Sequence, residues 1–179
     1  MKDLSKKEKF NVCYLLLCAV LSIFIFIFNK KFVEYVPLFV SIVVFIYGGA
    51  FLLEFFICDR KITHETHLFD GVIQILLGVI ILVFLKEKFE ATCIIWGFWV
   101  IIREGKELDE SIYELKENKL AIIDMIESAV LLYFAISIII NPTEHHAHTH
   151  IILTGIEFIF NFILYNVNLI VHKNKKEKE

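Results

Sequence analysis

The stretch "LFDGVIQILLGVIILVFL", residues 68–85, carries one charge in eighteen residues, Asp70 near its start. A helix rises about 1.5 Å per residue, so this run nearly crosses a hydrocarbon core about 30 Å thick. Comparable apolar runs lie at Phe10–Phe28, Val36–Ile57, Phe89–Ile102, Ala121–Ile140 and Ile151–Val171. The chain of 179 residues is 58% hydrophobic and 15% aromatic, with 18 phenylalanines against 2 prolines and 7 glycines. Soluble domains do not repeat oily runs of this length. The predicted fold is all-α: an integral membrane six-helix bundle, one domain over residues 1–179 with short N- and C-tails. The first run has a basic flank, "MKDLSKKEK", but is long for a signal-peptide core and shows no convincing cleavage site. It is expected to stay as a span.

Lysine and arginine set the expected orientation. One side holds Lys2, Lys6, Lys7 and Lys9, then Arg60 and Lys61, then Arg103, Lys106, Lys116 and Lys119, then Lys173, Lys175, Lys176 and Lys178. The other holds only Lys30, Lys31, Lys86 and Lys88, so the 18 basic residues divide fourteen to four. Both termini are predicted to be cytoplasmic, in a bacterial inner membrane. The segment 141–150 then faces outward, with no Lys or Arg.

The chain also matches itself at an offset of 57 residues. Asp70 falls on Glu127, Gly71 on Ser128, Gly78 on Ala135 and Gly48 on Gly105. Seven residues is nearly two helical turns, so Gly71 and Gly78, like Ser128 and Ala135, share a face. Small residues on one face let membrane helices approach closely. The expected packing set is Gly48, Gly71, Gly78, Gly97, Ser128, Ala135 and Gly155. The architecture it implies is three parallel hairpins, about 10–57, 68–114 and 121–171.

Charges at membrane depth face protein or water. Glu54, Asp70, Asp124 and Glu127 all fall at the predicted inner level, with Arg103 and Glu104. Arg103 is expected to pair with Asp70 or Glu127, because its fork matches a carboxylate. These groups form either a proton or cation entry site or an interface belt. The fourth span passes from "TCIIWGFWVII" directly into "REGKELDES", so its helix is expected to leave the lipid soon after Arg103. Leu108, Ile112 and Leu115 would then form an apolar stripe. In the sixth span Thr154, Glu157, Asn161 and Asn168 share one side, almost two turns in for Glu157. Such a stripe faces other helices or a water-filled path.

His145, His146, His148 and His150 lie in "NPTEHHAHTH" (141–150), read as a loop of about ten residues after Pro142 ends span five. Three readings stand: a divalent-metal site, since imidazole suits zinc, copper and nickel; an acid-responsive loop, since histidine titrates near about 6.5; or a solvated loop. Cys13, Cys18, Cys58 and Cys93 show no paired spacing and read as small apolar fillers, with no cofactor expected. No phosphate-binding, dinucleotide or metalloprotease motif occurs, and catalysis is not expected. Net charge is −3, which argues against a nucleic-acid partner. The expected partner is the lipid bilayer; a homo-oligomer is allowed.

"DGVIQILLGVIILVFL" (70–85) opens the second hairpin and "WGFWVIIREG" (96–105) closes it. "SIIINPTEHH" (137–146) forms the third turn, and "LTGIEFIF" (153–160) lies in the last span. Over nearly its whole length the chain resembles the HdeD family of bacterial membrane proteins. The resemblance implies six spans in the cytoplasmic membrane and an association with acid resistance. The charged half of the fourth span and the histidine-rich turn depart from that pattern. An acid- or envelope-stress role is the leading expectation. A small transporter or channel for protons or cations, and a structural or assembly protein, are the alternatives.

Overall fold

A computed structural model describes residues 6–57, 67–115 and 121–176, with side chains for 7–57, 67–115, 121–167 and 169. Cys58 and the predicted inner-side residues Lys2, Arg60, Lys61, Lys116, Lys119 and Lys178 lie outside the described residues. The chain is all-α in six helices: α1 Lys6–Glu34, α2 Val36–Ile57, α3 His67–Phe84, α4 Phe89–Glu114, α5 Ala121–Ile140 and α6 Glu144–Lys176.

Among the described residues, five helices are long and apolar enough to cross a membrane: α1, α2, α3, α5 and the Glu144–Val167 part of α6. This is the helix set of a multi-pass membrane protein. Their outward sides agree. Leu16, Leu17, Ile23 and Ile27 are exposed on α1, and Phe69, Leu76, Val83 and Phe84 on α3. So much uncovered apolar side chain suits lipid as the surrounding solvent.

The breaks between helices are short. Tyr35 alone separates α1 from α2, and the Phe39 N–H donates to its carbonyl at 3.0 Å. Pro37 is tolerated because the first helical N–H groups have no intrahelical acceptor. Leu85–Lys88 joins α3 to α4, where Thr92 Oγ1 donates to the Lys88 carbonyl at 2.9 Å. Asn141–Thr143 joins α5 to α6.

Two compact units emerge. The first comprises residues 1–28, 41–80 and 154–179. In it α2 and α3 approach at glycines. A Cβ on Gly48 would lie 3.0 Å from Gln74 Cβ and 3.1 Å from the Gly71 carbonyl oxygen. One on Gly78 would lie 2.7 Å from the Phe45 ring. Gly155 sets α6 against α1, where a Cβ would meet Ile25 Cγ2 at 3.1 Å.

The second unit comprises residues 29–40 and 81–153. Here α4 and α5 pack along their length. A Cβ on Gly97 would lie 2.8 Å from the Ala135 carbonyl oxygen. The buried face of α5 is Ala121, Ser128, Leu131, Ala135 and Ile138, at helical spacing.

α4 stays helical through its charged half as far as Glu114, and it is absent from the candidate spans among the described residues. The stripe Leu108, Ile112 and Leu115 is not the buried face: Ile112 is 50% and Leu115 40% exposed. The buried line instead continues the packing face of the apolar half, through Trp96, Val100, Glu104 and Ser111. Packing already established at Trp96 and Val100 sets the phase, and the polar Glu104 and Ser111 follow it inward. Lys106, Glu107, Asp109 and Glu110 remain exposed, which suits water around this part of the helix.

Candidate functional site

In the first unit the buried carboxyl is Glu157, 4% exposed, and the Tyr47 hydroxyl donates a short hydrogen bond to its Oε1. The Tyr47 ring also packs on Phe158, with centroids 6.0 Å apart. Tyr47 lies at the middle of α2, eleven residues after Val36 and ten before Ile57. Glu157 lies thirteen residues after Glu144, where α6 begins, and six after Ile151, where its apolar run begins.

Thr154, one turn before Glu157, is 6% exposed, and Asn161, one turn after, is half-buried. The side chain of Asn168 lies outside the described residues. Asn166 Nδ2 donates to the Phe162 carbonyl at 2.6 Å, which closes it onto its own helix. On α1, Cys18 is buried next to the Glu157 charge. Ser22, fully buried, donates back to the carbonyls of Cys18 and Ala19 at 3.1 Å each.

Glu54 belongs to the same unit. Lys7 Nζ lies 2.9 Å from its Oε1, and His67 Nδ1 lies 3.5 Å from its Oε2. The His67 ring meets Phe51 edge-on, with centroids 5.2 Å apart. This acid ties three helices, α1, α2 and α3, at one end of the unit. Asp70 is half-buried on the first turn of α3.

In the second unit, Arg103 forms an ion pair with its sequence neighbour Glu104. Both Nε, at 2.7 Å, and Nη2 reach Glu104 Oε1. Glu104 is 1% exposed, and the Arg103 guanidinium lies 5.0 Å from the Trp99 ring centroid. A buried charge with its counter-charge alongside avoids the cost of an unpaired one. Asp124 and Glu127 are half-buried on the first two turns of α5.

The histidine segment is not a ten-residue loop. Only Asn141–Thr143 are non-helical, and all four histidines sit in the first two turns of α6. Thr143 caps the helix: its Oγ1 accepts from the His146 N–H at 3.3 Å, and its carbonyl from the Ala147 N–H at 2.9 Å. A Thr followed directly by Glu144 is a helix-start signal, and it was there to be read.

The helix then separates the rings. His145 and His148 share a shallow cleft with Lys30, Val33, Glu34 and Glu144. His148 Nε2 is 3.1 Å from Asn29 Oδ1. His146 turns the other way, its Nδ1 2.6 Å from the Asn141 carbonyl oxygen. His150 is 2% exposed, with its ring centroid 5.1 Å from Trp96 and 6.3 Å from Phe134. It is a core side chain, which the reading of a wet loop did not foresee. Among the described residues no three His, Cys, Asp or Glu side chains converge as metal ligands. Cys13, Cys18 and Cys93 carry free thiols.

Tyr47 is the site residue that sequence reasoning missed. A lone tyrosine in an apolar span has no periodic partner on its own helix, and Glu157 is 110 residues away in sequence.

Comparison with known proteins finds no matching family model, no matching curated protein and no matching solved structure.

Proposed function

We propose that this is a six-span protein of a bacterial cytoplasmic membrane, with both termini inside, that acts in the response of the envelope to acid. The resemblance to the HdeD family and the distribution of Lys and Arg support this reading. So do helix ends that recur near the 57-residue offset: α2 ends at 57 and α4 at 114, α3 at 84 and α5 at 140. Small residues meet the preceding helix in both pairs, Gly71 and Gly78 against α2, and Ala135 against α4. Three hairpins of one ancestry account for that pattern, with α4 crossing as a short span.

One observation carries the acid response: the cleft at the start of α6. Its charged lining residues at neutral pH are Lys30, Glu34 and Glu144, a balance of −1. Protonating His145 and His148 reverses it to +1. Cations in the first turns of a helix also oppose its macrodipole, by about 0.3–1 kcal/mol each. Acid at the outer face thus loosens the start of α6. His146 opposes the loosening, because its ring meets the C-terminal carbonyl end of α5, where positive charge is favoured.

The chain has two tryptophans, and Trp96 touches His150 on the second turn of α6. Titrating tryptophan fluorescence from neutral to acid pH therefore reads this end directly. The expected result is an acid-dependent change that vanishes when His145, His146 and His148 become Gln. An identical profile in that variant removes the acid response.

A further inference from the structure

We propose that Glu157, with Tyr47, is a reversible proton-binding site inside the membrane. This is independent of the cleft at the start of α6.

Three observations carry it. First, the carboxyl is buried within the apolar run of α6, six residues past Ile151, and its partner is at the centre of α2. An ionised side chain in hydrocarbon is costly, about 2.5–3.5 kcal/mol at a helix centre even on insertion scales. Second, α6 approaches α1 closely at Gly155, and Cys18 of α1 is buried within electrostatic reach of Glu157. Third, the hydrogen-bond partner is a phenol. A hydroxyl donates to a carboxylate and accepts from a carboxylic acid. Tyr47 therefore serves both protonation states by turning one O–H bond, with no heavy atom moved.

Titratable groups near Glu157 include Tyr47 from α2 and Cys18 from α1, and Thr154 adds a second buried hydroxyl on α6 itself. Glu104 is equally buried, and the guanidinium of Arg103 holds it as an ion pair.

An apolar carbodiimide partitions into the bilayer and reacts with a protonated carboxylic acid. The acid proton moves to a carbodiimide nitrogen and the carboxyl oxygen bonds to the central carbon, so the protein gains the mass of one intact reagent. Full-length protein in native membranes is treated with dicyclohexylcarbodiimide over a range of pH, then analysed by intact mass and peptide mapping. Expected is one adduct, mapped to Glu157, forming faster as pH falls. It is absent from Glu157→Gln, retained in Glu104→Gln, and not formed by a water-soluble carbodiimide. Mapping on the unaltered chain keeps the test valid if Glu157→Gln does not fold. Labelling at Glu104, no labelling at any pH, or equal labelling by the water-soluble reagent overturns the proposal. Protection by sodium at constant pH also overturns it, and assigns the site to a metal cation.

Discussion

Two polar stretches of helix α6 differ in kind. Its first two turns hold four histidines in six positions; further along it carries one buried acid, Glu157. The crowded stretch draws the eye, yet its rings are dispersed by the helix: two line a shallow cleft, one leans on the end of α5, and one is core. The single acid is buried and held by a tyrosine from another helix. Spacing in sequence says which groups share a helix face. It does not say how deep they lie or what they touch, and at membrane depth those set the cost of a charge.

Substitutions can break or sharpen that contrast, with larger effects expected further along α6 than at its start. Gly155→Leu forces a side chain into Ile25 and Phe26, where even a Cβ comes within 3.1 and 3.3 Å. Overpacking of this kind costs about 1–3 kcal/mol, and a lowered unfolding midpoint in detergent reads it. Tyr47→Phe removes the donor and leaves a buried acceptor, a loss of about 1–2 kcal/mol in the same assay. Equal stability of that variant would show that the Glu157 bond contributes nothing net.

At the start of α6, Thr143→Ala deletes the cap and costs about 1 kcal/mol, read as faster amide exchange at residues 144–147. His145→Gln, on an exposed face, shifts stability by no more than about 0.5 kcal/mol at neutral pH. A large loss there would mean that the cleft is part of the packed core.

Much of the architecture was legible because lipid imposes a simple rule: apolar runs of near 20 residues. All six helices lie where those runs lie. The small residues at Gly48, Gly71, Gly78 and Gly97 sit at close helix approaches because only a missing or minimal side chain admits a neighbouring backbone. What escaped was local and steric. Pro142 was taken to open a long loop, whereas Thr143 restarts the helix one residue later. Arg103 bonds Glu104 beside it in sequence, a partner that spacing on a helix face does not single out. The inward face of α4 follows packing set upstream, so its hydrophobic letters at Ile112 and Leu115 point outward.

The central claim is that α6 begins at the outer surface and carries Glu157 into the membrane. Single cysteines placed along residues 144–167, with Cys13, Cys18, Cys58 and Cys93 replaced, test it through labelling of intact cells with a membrane-impermeant maleimide. Labelling is predicted at 144, 145 and 148 and protection from 154 through 161. Labelling at 157 as fast as at 145, or at 145 only after the cells are opened, would contradict it.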